Sequence, residues 1–176
     1  LRLALSEKKQ AIDLLVQQLR QEPENPKHHY DLGNLLLEST NKVQEAVLLL
    51  AKAVELSKGH HDAFNALGNS FRINGRFEEA RLSYLYAILG ADQPERPLAN
   101  FASYWAELGQ FEMGGLFAFL SKTLNPEFPQ ANWLLAMHHL RHEHYDVGLP
   151  LIAKRAELDA KAVGIYDKSL PLWQGN

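Results

Sequence analysis

The stretch Phe64-Asn65-Ala66-Leu67-Gly68-Asn69-Ser70-Phe71, followed by Asn74-Gly75-Arg76-Phe77-Glu78-Glu79-Ala80 with Tyr84 and Ala87, decides the fold. Its apolar residues recur at helical spacing, and a small residue, Gly68, follows a large one. Asn74-Gly75 then supplies the turn, glycine being the residue that readily takes the φ > 0 conformation ending a helix. A second amphipathic segment opens at Phe77. The unit is a helical hairpin.

Outward from this hairpin the same landmarks return. Leu67-Gly68 has counterparts at Leu32-Gly33, Phe101-Ala102 and Leu135-Ala136, in steps of 35, 34 and 34 residues. Ala46, Ala80, Gly114 and Gly148 follow one another at 34 residues, each three after Val43, Phe77, Phe111 or Tyr145. Leu108-Gly109-Gln110-Phe111 repeats the turn. Small residues at these positions let two helices approach closely while larger side chains pack as ridges into grooves. Prolines at 23, 26, 94, 97, 126 and 129 fall between units, where a helix must stop or begin.

A helix–turn–helix unit of this length resembles the tetratricopeptide repeat (TPR). The segment from Phe64 to Ala87 is similar to the TPR consensus. The first unit has one extra residue in its turn (Ser39–Lys42), and the third and fourth are looser, with Trp105 and His139 where an aromatic is usual. The resemblance covers roughly residues 26 to 160. It implies an all-α fold, a right-handed TPR alpha-alpha superhelix (solenoid) of about four repeats plus a partial one. The expected organisation is a solenoid over 1–165: a partial repeat 1–25, repeats 26–60, 61–94, 95–128 and 129–162, then a tail 166–176. Residues 11 to 23 read as the second helix of the partial repeat, with Leu1–Leu5 as the stump of its first helix. Pro150 falls inside the last second helix and should kink it or delay its start.

In TPR arrays the first helices line a concave groove. Carried over by register, the groove positions are Lys27, Tyr30, Asn34 and Leu37; Asp62, Asn65, Asn69 and Arg72; Arg96, Ala99, Ser103 and Ala106; and Gln130, Trp133, Met137 and Leu140. Asn65, Asn69 and Arg72 share one helix face, and an asparagine carries both donor and acceptor for a peptide backbone. The carboxylate clamp of chaperone-binding TPRs is broken here. Asn34 keeps one clamp position, but Tyr30, Ala66 and Asn100 replace others. The resemblance therefore implies a non-catalytic scaffold that binds a protein or peptide partner, with the groove turning apolar toward its fourth unit. That character suits an amphipathic helix or an extended apolar peptide.

Other chemistry finds little support. The composition, 46% hydrophobic and 22% charged, is that of a globular protein. A net charge of −3 gives no reason to expect nucleic acid or anionic membrane as partner. The absence of cysteine excludes disulfides and thiolate sites and fits a reducing, cytoplasmic setting. The longest apolar runs are too short for a bilayer. The start Leu-Arg-Leu-Ala-Leu-Ser lacks the order of a signal peptide, and without an initiator Met the chain reads as cut or processed from a longer one.

His138 and His142 lie four apart with Glu143 nearby. Against a metal site stand His139 at an interhelical packing position, His144 in a turn, and the lack of His-Glu-x-x-His. No metal and no cofactor are expected. His28-His29 and His60-His61 read as packing and helix-start residues. Gly114-Gly115 has no following Lys-Ser or Lys-Thr, and Ser121 and Ser169 have no Gly-x-Ser-x-Gly setting.

The tail Ser169-Leu170-Pro171-Leu172-Trp173-Gln174-Gly175-Asn176 belongs to no repeat. It resembles the Pro-Leu-Trp-acid-Gly junction of bacterial proteins in which TPRs precede a glycosyltransferase domain, with Gln174 in place of the acid. That resemblance implies the holding arm of a larger glycosyltransferase-like enzyme. The alternative is a cap over the apolar end of the array. Self-association through Leu1–Leu5 and Leu170–Trp173, giving a homo-oligomer, is a third expectation.

Overall fold

A computed structural model describes residues 2–39, 42–57 and 60–153. The tail from Ser169, the proposed cap or junction, lies outside the described residues. So do Leu1 and much of the first unit's longer turn.

The described chain is helical: α1 (Arg2–Gln21), α2 (Pro26–Ser39), α3 (Val43–Ser57), α4 (His61–Ile73), α5 (Phe77–Gly90), α6 (Glu95–Glu107), α7 (Phe111–Leu124) and α8 (Pro129–Arg141). A further helix, α9, covers residues 145–153. No described helix is long and apolar enough to cross a membrane.

Three helix ends share one device, set by the repeat. The backbone N–H groups of Arg76, Gln110 and His144 donate to the carbonyls of Phe71, Trp105 and His139, at 2.8, 2.9 and 2.9 Å. This is the six-to-one bond of a Schellman motif, which needs a left-handed residue just before the donor. Gly75 (φ 72°) and Gly109 (φ 76°) fill that place, and Glu143 (φ 61°) fills the third. Helix starts are set locally too. Pro26 opens α2 and Pro129 opens α8, where a missing N–H costs nothing. His60 caps α4 by accepting the Ala63 N–H on Nδ1.

Two compact units, residues 1–97 and 98–176, divide the chain. In the first, α2 packs on α3, α4 on α5, α3 on α4 and α1 on α2. Its core joins Leu32, Leu36 and Ala46, flanked by Ile12, Leu15 and Val16 of α1, to a second cluster of Val47, Leu50, Ala66 and Leu67. Ala46, Ala80, Tyr84 and Ala87 are fully buried. In the second unit Ala102, Ala118, Leu135, Ala136 and Leu151 form the core. The small residues of the repeat sit where close approach demands them: a β-carbon on Gly33 would lie 2.8 Å from Leu50 Cγ, and one on Gly148 2.8 Å from Leu140 Cγ.

Two expectations are corrected. α1 runs unbroken from Arg2 to Gln21, so residues 2–5 belong to the same helix as residues 11–21 and are not the stump of an earlier one. No Gly or Pro interrupts Ser6-Glu7-Lys8-Lys9-Gln10, and most of these residues are good helix formers. Pro150 does not delay its helix either: α9 begins at residue 145 and continues through it.

Candidate functional site

The first helices α2 and α4 of the first unit lie against each other. The N-terminal end of α4, the linker after α5 and the opening turn of α6 enclose a cleft of about 430 Å³, lined among others by His61, Asp62, Asn65, Asp92, Glu95 and Arg96. Three of these residues, Asp62, Asn65 and Arg96, come from the register-derived set. Asp62 and Arg96 are exposed, whereas Asn65 is 8% exposed and forms wall rather than rim. The other acids, Asp92 in the linker and Glu95 at the first position of α6, stand before Arg96, where the register-derived positions of that repeat begin. The acid-bearing run Asp92-Gln93-Pro94-Glu95 was the signal available. The lining thus carries three carboxylates, those of Asp62, Asp92 and Glu95, and one guanidinium, that of Arg96.

The remaining positions in the first unit divide by environment. Lys27 is exposed in the first turn of α2, its backbone N–H donating to Asn25 Oδ1. Tyr30 packs on the Val47, Leu50, Ala66, Leu67 cluster, its ring 5.4 Å from that of His60. Leu37 packs on the Leu32, Leu36, Ala46 cluster. Asn34 and Arg72 are half-buried. Asn69 accepts a 2.8 Å hydrogen bond from the buried Tyr84 hydroxyl, so its carboxamide oxygen serves the helix pair.

The second unit brings two predicted residues together. Gln130 Nε2 of α8 donates to Ser103 Oγ at 3.2 Å and to Asn100 Oδ1 at 3.0 Å on α6. Ser103 Oγ in turn donates to the Ala99 carbonyl at 3.1 Å. Ala99 is fully buried and presents no surface to a ligand, a correction to the register reading. Ala106 and Leu140 are half-buried. Trp133 is 37% exposed, and Met137 packs against the unit's core.

The paired histidines act at helix starts. His29 Nε2 lies 2.7 Å from the Pro23 carbonyl and His28 Nε2 3.1 Å from Glu22 Oε2. Hydrogen bonds from Asn25 and His28 hold the Glu22 carboxyl below the ordinary glutamate range. His139 behaves as the aromatic filler its register implies: burial first, then the charges of His138 and His144, pushes its imidazole below the usual range.

The tetratricopeptide repeat family profile matches residues 1–60 and 40–97, more than half of the chain. The chain belongs to the tetratricopeptide repeat family. No curated protein matches it in sequence. Among solved structures it is similar to MamA, with a TM-score of 0.71 at 16% identity over 90% of this chain and 92% of that one. It is also similar to PilF of Pseudomonas aeruginosa, with a TM-score of 0.75 at 17% identity over 93% and 80%. YrrB, described as "a TPR protein with an unusual peptide-binding site", aligns with a TM-score of 0.63 at 17% identity over 89% and 87%. At such identities the likeness is one of fold: this is an all-α TPR array. The fold is that of a class of protein-interaction scaffolds.

Proposed function

We propose that the chain is a non-catalytic scaffold that holds a polypeptide against the face formed by its first helices. A basic side chain of the partner would enter the cleft beside Asp62. The observation carrying this reading is that Asp62, Asn65 and Arg96, placed by repeat register alone, line one cleft together with Asp92 and Glu95. A lysine or arginine there meets carboxylates from the start of α4, the linker and the start of α6. Arg96 is placed to pair with a carboxylate or backbone carbonyl of the same segment. The bound chain would be extended or helical, the two modes open to a peptide that enters a side-chain-lined surface.

Selection of a random peptide library on the immobilised chain tests this. Peptides with a Lys or Arg at a fixed position should be enriched, and Asp62→Lys with Asp92→Lys should abolish their retention while leaving helicity intact. Enrichment without a basic position, or equal retention by the charge-reversed chain, contradicts the reading.

A further inference from the structure

We propose that Glu112, His138 and His142 form a binding site for a divalent transition-metal ion of the zinc, copper or nickel type. One donor atom from each residue lies within 4.8 Å of the donors of the other two. Glu112 stands in the first turn of α7, His138 in the last turn of α8, and His142 is the residue that caps α8. His142 Nε2 and Glu112 Oε1 are already 2.9 Å apart. The imidazole rings of His138 and His142, four residues apart across the C-terminal end of α8, have centroids 4.7 Å apart. That spacing is how a helix offers two imidazoles to one ion.

The surroundings of His138 point the same way. Its Nδ1 lies 3.3 Å from the Phe111 carbonyl of α7 and donates its proton there. This tautomer leaves the Nε2 lone pair available, which is the outer support that metal-bound histidines carry. The ring also needs the space that Gly115 leaves: a β-carbon on that glycine would sit 2.5 Å from His138 Nδ1. Gly115 and the Phe111 carbonyl thus hold the ring from α7, the same helix that supplies Glu112. Along the sequence only Glu143 stands near as an acid, and His139 in packing, His144 in a turn and the missing His-Glu-x-x-His argue against an ion. The carboxylate comes instead from Glu112, 26 residues before His138, through the packing of α7 on α8.

Two imidazoles and one carboxylate suit zinc, copper or nickel better than calcium or magnesium, which prefer all-oxygen shells. A tetrahedral zinc with bonds of about 2.0–2.1 Å needs its donors about 3.3–3.5 Å apart, so separations of up to 4.8 Å must close by as much as about 1.5 Å and the 2.9 Å Glu112–His142 pair must open by about 0.5 Å. The side chains of Glu112 and His142 are 76% and 39% exposed, so rotation of surface groups suffices. Three protein ligands leave at least one position for water or for a donor from a partner. Bound in this way, the ion would clip the beginning of α7 to the end of α8.

The test is calorimetric titration of the tag-free full chain with Zn²⁺, with helicity followed by circular dichroism. One ion per chain is expected. His142→Ala and Glu112→Gln should each weaken binding about tenfold or more, and His28→Ala and His61→Ala should leave it unchanged. Glu112→Gln alters an exposed side chain, so its result stands even if a histidine variant loses helicity. Absence of Zn²⁺ binding by the wild type overturns the proposal. Undiminished affinity in both Glu112→Gln and His142→Ala does so too, since it places the ion elsewhere.

Discussion

Gly68 faces the ring of Tyr84 so closely that a β-carbon on it would lie 2.8 Å from both Cδ1 and Cε1. Tyr84 cannot retreat, because it is fully buried and its hydroxyl donates to Asn69 Oδ1, one residue along from the glycine. Gly68→Ala should therefore force a shift in the α4–α5 pair and cost about 1–3 kcal/mol. Tyr84→Phe keeps the ring and removes only the hydrogen bond, at about 1 kcal/mol. Urea denaturation of the two variants checks the order. A neutral Gly68→Ala would mean the helices are not in contact at this point.

Glu143 stands where the other two turns of its kind place Gly75 and Gly109, and it takes the same left-handed backbone, φ 61°. A side chain in that region costs about 1 kcal/mol relative to glycine. Glu143→Gly is expected to raise stability by about that amount, and Gly75→Ala to lower it by about 1 kcal/mol. Nothing lies within 4 Å of a β-carbon built on Gly75, so the second effect is one of backbone alone. Thermal denaturation of both variants reads the two signs.

Arg76 and Glu79 close the turn before α5 with two hydrogen bonds of 3.0 and 2.8 Å to one carboxylate oxygen. The Arg76 guanidinium, with help from the backbone N–H of Glu79 itself, holds this carboxyl below the ordinary glutamate value. A depressed folded-state pKa means that the contribution to stability is present above about pH 4.3–4.5 and fades as pH falls through the folded value. Carbon-detected NMR titration should show Glu79 ionising below other exposed glutamates, and Arg76→Ala should bring it back toward them. An unmoved Glu79 in Arg76→Ala would assign the shift to the helix start instead.

The fold was legible because its determinants are local and periodic. Gly33 and Gly68 on first helices, and Gly114 and Gly148 on second helices, announce close approaches one repeat apart, and Gly75 and Gly109 announce turns; each needs only its own repeat to be read. The candidate site was legible where the register alone places a side chain, as with Asp62 and Arg96. It was not legible where a side chain has two possible employers. Asn69 looked like a ligand contact, but its oxygen serves Tyr84, and Ala99 looked like surface while lying in the core. The pairing of Glu112 with His138 and His142 depends on which turn of α7 meets which turn of α8, a tertiary fact that no spacing along the chain encodes. Asp92 escaped for a related reason, since a linker has no repeat register to place it, and Glu95, the first residue of α6, stands one before Arg96, where the register positions of that repeat begin.

The most direct test of the scaffold reading is nitrogen-15 NMR of the labelled chain titrated with a selected basic peptide. The account predicts that the amides of Asp62, Asn65, Asp92 and Arg96 move together and saturate at one affinity, and that Asp62→Lys abolishes the shifts. Shifts confined to the second helices, such as α3 and α5, with these four residues unmoved, would contradict it and place the partner on a different face of the repeats.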